Sequence, residues 1–388
     1  MTEYEIEVTD LKVTVVCDVL GEENNGTTIA AMNLIRSLQA KGHTVRALCT
    51  GSKHAGEEGY HIVPSINFGP LNGYVAKNGV LLARPVRSIL EQSIDGADVV
   101  HIMIPFWLGV SAAKVAWAKG IPVPAGFHCQ AENLSNHFFL MNADRVNRWV
   151  YKTFYRILYR RCDCVHYPTR FICDTFEGAA GPTNHYIISN GVNASFVKKD
   201  VQKPAALQDK FVILFTGRYS REKSHKVLLS AAALSRHKEQ IRLIFAGTGP
   251  QRKNLEEAAR RLGISMPIME FYSRSELVDV INYSDLYVHP AEIEIEAIAC
   301  LEAIACGKVP VIADSPRSAT RYFARTPENL FKMNDPASLA ERIDYWIEHP
   351  EEREECSRQY LGYAQAFAFD QCMDQMEEML ADAAKKEA

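Results

Sequence analysis

Apolar residues in this chain fall into short runs separated by stretches of helical periodicity, and the alternation occurs twice. The run Lys12 to Cys17 predicts a buried strand, 18–25 a polar loop, and 29–41 a helix that stops at Gly42. Further strands are predicted at 44–49, 97–103 and 122–127, with a helix over 110–119. After Asn190-Gly191-Val192-Asn193 and the polar stretch 198–208 the pattern restarts. Strands are predicted at 211–216, 241–246, 268–271, 286–288 and 309–313, with helices at 224–236 and 250–262, the second opened by Pro250 and closed by Gly263. Strands alternating with helices of this length imply parallel sheets covered on both faces. The expected fold is α/β, with two Rossmann-like doubly wound domains facing a cleft. The expected boundaries are 1–198 and 209–360, with 361–388 a helix packing back on the first domain.

Composition narrows this picture. A length of 388 residues suits two domains, and 47% apolar residues suffice for two cores. A net charge of −4 argues against a general nucleic-acid binder. The ten cysteines include no pair or Cys/His cluster with zinc spacing; Cys162, Cys164, Cys300 and Cys306 are expected as buried thiols. The acidic start Met-Thr-Glu-Tyr-Glu-Ile-Glu does not resemble a signal peptide, and no stretch reaches the roughly 20 apolar residues of a membrane span. The expectation is a soluble or peripheral protein of the cytoplasm.

The segment 289–313 carries the most specific chemistry. It reads as strand end, acidic loop, helix, glycine stop and strand, with Glu294 in the loop and Glu302 inside the helix. A ligand across the helix N-terminus could touch both carboxylates. The helix beginning near Ala297 has no Ser, Thr, Asn or Asp in a clear capping position, so its first amides could serve a phosphate. Alternatively, Glu292, Glu294 and Glu296 only complement the helix dipole, and for Glu296 that is the expected role. No Asp-x-Asp occurs, and no catalytic metal is expected.

Three other segments admit two readings each. Arg218 and Lys223, between a strand and a helix, could hold a diphosphate or form a solvated turn. Gly247-Thr248-Gly249 could let backbone approach a ligand, but it lacks the third glycine of a dinucleotide fingerprint. Arg145, Arg148, Lys152, Arg156 and Arg160 line one side of a helix, opposite Val146, Val150, Phe154, Ile157 and Leu158. From 145 to 170, seven Lys/Arg against one Asp give a net +6. That face is either an ordinary solvated one or a docking face for anionic lipid, with Trp149 and Arg161 in reach of the surface. His128 ends a predicted strand beside Gln130, Glu132 and Asn133, a grouping that favours a functional role.

Together these residues resemble the retaining family-four glycosyltransferases of the two-Rossmann (GT-B) class. Gly217-Arg218 with Glu222-Lys223, Gly247-Thr248-Gly249-Pro250, Glu294 with Glu302-Ala303, and Cys306-Gly307-Lys308-Val309-Pro310-Val311 match in order and spacing. Gly26, Gly42-His43, Asp98-Val99-Val100-His101 and His128 extend the resemblance over most of the chain. Glu294-Ile295-Glu296-Ala297-Ile298 and the segments 127–133 and 315–320 are similar to the bacterial diacylglycerol glucosyltransferase subgroup. Ala297 stands where many relatives have Gly, and Cys129 where many have Asp.

The resemblance implies a hexose transfer from a UDP-sugar, UDP-glucose or UDP-galactose, with no cofactor and no metal. It assigns His128, Arg218, Lys223 and Glu294 to catalysis. Gly249, the amides of Ile298, Ala299, Cys300 and Leu301, and Glu302 would bind the donor. Gly26, Thr27, Gln130 and Glu132 would meet a diacylglycerol-type acceptor. The enzyme would sit on the anionic inner face of the cell membrane through the basic helix. The alternative is a family-four enzyme acting on a polyprenyl-linked or soluble glycan.

Overall fold

The computed structural model describes residues 10–20, 26–67, 69, 82–136 and 140–385. The chain divides into two compact units, Met1–Asn190 with Asp370–Ala388, and Gly191–Phe369. The divisions fall at 190/191 and 369/370, whereas the expected ones were 198, 209 and 360/361. The extended segment after Asn190 belongs to the second unit because Val192 bonds Phe367 and Phe369 through its backbone.

The first unit holds seven parallel strands: β1 Lys12–Val19, β2 Thr44–Thr50, β3 Tyr60–Val63, β4 Val99–Ile102, β5 Ala125–Gly126, β6 Val165–Tyr167 and β7 His185–Ile187. Their order is β3-β2-β1-β4-β5-β6-β7. The expected strand 122–127 shrinks to two residues. Pro122 and Pro124 have no N–H to give a ladder, although their carbonyls still accept from Val100 and Ile102. The C-terminal helix Phe369–Lys385 packs on this unit: Lys41 bonds Asp374 and Glu377, His43 Nε2 lies 2.9 Å from Glu377, and the Tyr186 hydroxyl donates to Asp382 at 3.2 Å.

The second unit holds β8 Phe211–Thr216, β9 Ile241–Ala246, β10 Ile268–Glu270, β11 Leu286–His289, β12 Pro310–Asp314 and β13 Leu330–Lys332, ordered β10-β9-β8-β11-β12-β13 and all parallel. Val212 to Phe215 are fully buried, as strands covered on both faces require. Each such side chain contributes roughly 1.5–3 kcal/mol of transfer free energy.

Both sheets reverse their strand order once, between β1 and β4 in the first and between β8 and β11 in the second. Ligands of open parallel sheets bind outside the carboxyl ends of the strands at such a reversal. The loops after β8 and β11 carry Gly217–Lys223 and Glu292–Ala297, the segments singled out above.

Candidate active site

The turn after β8 is shaped by its neighbour. Tyr219 N–H donates to Thr248 O at 2.8 Å, and Gln251 N–H donates to Tyr219 O at 3.0 Å. A methyl on Gly247 would meet Gly217 O at 2.2 Å, and one on Gly249 would meet the Tyr219 backbone at 2.6 Å. Both glycines are therefore accounted for by the close approach of two loops. Gly249, expected as a donor contact, has this packing role whatever else it touches.

This turn delivers Lys223 to Glu294. The Lys223 ammonium is bonded to Glu294 Oε1, and His289 Nε2 lies 3.0 Å from the same oxygen. Lys223, read as a cation open to a diphosphate, is instead half of an ion pair whose side chains are 21% and 12% exposed. An ionised carboxylate only accepts, so His289 carries its proton on Nε2. Its Nδ1 then takes the Tyr287 hydroxyl at 3.3 Å. Burial alone would raise the Glu294 pKa, but the Lys223 charge and the His289 hydrogen bond more than offset it and hold the carboxyl at about 2. Its second oxygen, Oε2, accepts no protein hydrogen bond among the described residues. His289 was not assigned a role from sequence. The available signal was its place at the end of a buried strand, the same signal that marked His128.

The acidic loop is braced on both sides. Glu292 accepts from Ser224 Oγ at 3.2 Å and from Arg317 Nη2 at 3.1 Å, so it does more than face a helix dipole. Ala319 N–H donates to Glu294 O at 2.8 Å. Glu296, expected on the helix dipole, is 3% exposed. Among the described residues, Ser224, Ala297 and Asn334 are the non-glycine residues with positive φ, and two of them belong to these loops. Ala297, at φ 60° and ψ 66°, caps the helix Ile298–Ala305 without a side-chain bond. Left-handed backbone costs a non-glycine residue roughly 1–2 kcal/mol, which explains a glycine preference here on steric grounds alone.

At that helix start, Cys300 and Leu301 donate back to Ala297 O at 2.9 and 3.3 Å, whereas the amides of Ile298 and Ala299 have no acceptor among the described residues. The four expected open amides are thus two, and the Cys300 and Leu301 side chains are buried. Glu302 lies one turn further on. Burial raises its pKa to about 7, against a smaller opposing effect of the Arg274 charge, and its carboxyl has no hydrogen-bond partner among the described residues. Arg218 is half-buried in the turn. Such a site, an ionised carboxylate locked to an ammonium beside open helix amides and a second, poorly stabilised carboxyl, suits a ligand carrying both phosphate and hydroxyls.

The first unit places its expected residues differently. Gly26 and Thr27 open the helix Gly26–Ala40, and Thr27 Oγ1 donates to His128 O at 3.4 Å. Gln130 is fully buried, and Glu132 accepts from the Tyr151 hydroxyl at 2.6 Å. Of these two, expected to meet an acceptor, Glu132 is bonded to Tyr151 of the basic helix and Gln130 is enclosed. His128 is largely enclosed, with Nε2 buried and without a partner.

The basic helix runs over Asp144–Ile157, followed by the turn Tyr159–Arg161. Arg145, Arg148, Lys152, Arg156, Arg160 and Arg161 are exposed, and Trp149 among them is 66% exposed. The inward side is Asn147, Tyr151, Phe154 and Leu158. Ile157, expected inward, is 39% exposed because the helix ends there. Arg161 lies over the Trp117 ring at 4.0 Å. Among the described residues no helix is long and apolar enough to cross a membrane.

The ten cysteines are free thiols, and Cys162 is only partly buried. Among the described residues one group could offer three converging metal-ligand atoms: Cys173, Glu177 and His185. There, Glu177 Oε1 already accepts from Thr183 N–H at 3.0 Å, Thr183 Oγ1 at 2.6 Å and His185 Nδ1 at 2.9 Å. The group thus serves to fix the loop between the helix Arg170–Ala180 and β7.

Comparison with known proteins agrees with this architecture. Glycosyltransferase Family 4 matches residues 24–196, and Glycosyl transferases group 1 matches residues 196–360. The chain is 26% identical over 322 residues to a GDP-mannose-dependent alpha-mannosyltransferase of Corynebacterium glutamicum, covering 78% of this chain and 72% of that one. It is 23% identical over 320 residues to the alpha-monoglucosyldiacylglycerol synthase of Streptococcus pneumoniae, covering 78% and 71%. The Anabaena protein HepE, solved with UDP-glucose, superposes with a TM-score of 0.74 at 17% identity, covering 96% of this chain and 100% of that one.

Proposed function

The chain belongs to the family-four glycosyltransferases of the GT-B class, and on that premise we propose that it moves a hexose, glucose first among candidates, from a UDP-sugar to a diacylglycerol-type membrane lipid with retention at the anomeric carbon. The observation that carries this reading is the Lys223–Glu294 pair at the strand-order reversal, beside the two open amides of Ile298 and Ala299. Those amides, with Arg218 and Lys223, would receive the diphosphate and stabilise the charge that develops on it as the glycosidic bond breaks. Glu294 would hold sugar hydroxyls through Oε2 while Oε1 keeps Lys223 in place. Glu302 would accept from the ribose hydroxyls, which favour its ionised form. Glu294 would stay paired with Lys223 and not attack the sugar, and the departing phosphate oxygen would take the acceptor's proton. His128 is the residue of the first unit to which this reading gives a place in the reaction.

The acceptor assignment is supported by the exposed basic face around Trp149 and by the similarity to a diacylglycerol-using synthase. It implies a peripheral enzyme on the inner face of the cell membrane. The similarity to a GDP-mannose user keeps a second donor in view. A screen of UDP-glucose, UDP-galactose and GDP-mannose against diacylglycerol in mixed micelles, and against soluble and polyprenyl-linked glycans, tests the proposal. Glycolipid formed from UDP-glucose supports it. Turnover confined to GDP-mannose or to a soluble glycan refutes it.

A further inference from the structure

Three histidines gather around one glycine at the carboxyl ends of β4, β5 and β6. A methyl placed on Gly126 would lie 2.6 Å from His128 Nε2, 2.8 Å from His128 Cδ2 and 3.6 Å from His101 Nε2. The His128 ring is therefore folded back over β5, filling the space a side chain at 126 would take. Its Nδ1 edge lies on the far side from the glycine. His166, paired in register with Gly126, sets its ring edge-on to that of His128 with centroids 5.5 Å apart. Ile188 O, 2.6 Å from His166 Nε2, can only accept, so His166 carries its proton there and Nδ1 is bare. His101, on β4, is fully buried beside the Pro124 carbonyl. The strand end itself is held by Phe127 N–H donating to His166 O at 2.8 Å and by the Tyr159 hydroxyl donating to Gly126 O at 3.0 Å.

Leaving a buried polar atom unpaired costs free energy, and His128 Nε2 and His166 Nδ1 both bear that cost. We propose that Gly126, His101 and His166 are positioning residues that hold the His128 ring in a single folded-back orientation. The consequence for transfer rests on the glycosyltransferase reading above; the geometry does not. Burial, then the neighbouring imidazoles, keeps His128 well below the ordinary histidine range, while burial takes His101 to about 3 and His166 to about 4. Among the described residues, the titratable groups that face His128 are His101 from β4 and His166 from β6, with Cys129 beside it in the chain. None is a carboxylate that would favour a cation. His128 therefore serves as a neutral imidazole that presents its Nδ1 edge, and no charge, to a hydroxyl group.

The test combines histidine NMR titration of the full chain with steady-state kinetics, for wild type, Gly126→Ala and His166→Phe; His128→Gln assigns the resonance. In wild type, His128 should not titrate between about pH 5 and 8. In Gly126→Ala the expelled ring should titrate near about 6.5. Its kcat should fall at least about tenfold, the donor KM should move much less, and the rate profile should gain an acid limb near that pH. His166→Phe keeps a flat ring and should shift the same readouts in the same direction by less, which also covers a poorly folding Gly126→Ala. A wild-type His128 that titrates near about 6.5, or unchanged kcat and profile in both variants, overturns the proposal. The titration needs no substrate. Absence of transfer by wild type would count against the glycosyltransferase reading, while the titration would still decide how His128 is held.

Discussion

The two strand-order reversals solve one topological problem with opposite electrostatics. In the second unit the crevice between β8 and β11 holds charge: the Lys223–Glu294 pair, Arg218 in the turn, and Glu302 poised near neutrality. In the first unit the carboxyl ends of β4, β5 and β6, on one side of the β1/β4 reversal, hold neutral imidazoles, and the basic charge lies outside, on the helix and turn 144–161. Charge inside a crevice is useful where a ligand brings charge of its own. Charge on a surface helix is useful where the partner is an extended anionic surface. Under the proposed function, the phosphate-bearing substrate would fall to the second unit and the membrane to the first.

The largest effects should come from breaking the charged crevice. Lys223→Ala removes the proposed hydrogen-bond donor to phosphate and leaves Glu294 without its cation. Transfer should fall by about 10²–10³. Removing one partner of a buried pair costs about 3–5 kcal/mol; partial exposure places this loss at or below the low end, measured by urea unfolding. Adding Glu294→Gln to Lys223→Met should return most of the stability and none of the activity. Stability restored together with activity would show that the pair is only structural.

Reversing Arg148, Lys152 and Arg156 to Glu should abolish flotation with anionic vesicles, because each basic residue near such a surface is worth about 1 kcal/mol. Turnover of a water-soluble acceptor analogue should be nearly unchanged. Equal flotation of the variant would remove the membrane from the account.

Glu302 gives a smaller, signed effect. Its free carboxyl titrates near about 7 and ribose hydroxyls favour the ionised form, so UDP affinity should rise between about pH 6 and 8, by at most about tenfold per unit. Glu302→Gln should flatten that profile in calorimetry. For folding the sign is reversed: the raised pKa contributes stability that is present below about 4.5 and lost as pH rises through about 7. His101, His166 and His225 act the other way. Their depressed values, about 3, about 4 and about 3, contribute stability that is present above about 6.5 and lost as pH falls toward them. Urea midpoints measured at neutral pH and near pH 5 should show this acid weakening.

Ala297→Gly should have the smallest effect. Relief of the left-handed backbone and the added freedom of the unfolded chain nearly cancel, leaving a change within about 1 kcal/mol.

Much of the fold could be read from the amino-acid pattern where burial is two-sided. The runs 211–216 and 241–246 are continuous apolar stretches and coincide with β8 and β9. β6 and β7 escaped because they are three residues long and carry His166, Tyr167, His185 and Tyr186, which look like loop residues until neighbouring strands cover them. Glu294 and Glu302 were legible as a pair around a helix start. That Glu294 is claimed by Lys223, 71 positions away, was not, since only the β8–β11 adjacency brings the two together. Gly247 and Gly249 were read toward a ligand because the loop that needs their bareness, 217–219, is distant in sequence. The histidine cluster was invisible for the same reason: its members come from three strands.

The most direct test of the central claim is transfer of labelled glucose from UDP-glucose to diacylglycerol in anionic mixed micelles by wild type and by Glu294→Ala. The account predicts labelled glycolipid from the wild-type protein and at most a trace from the variant. Undiminished product from Glu294→Ala, or none from wild type, would contradict it.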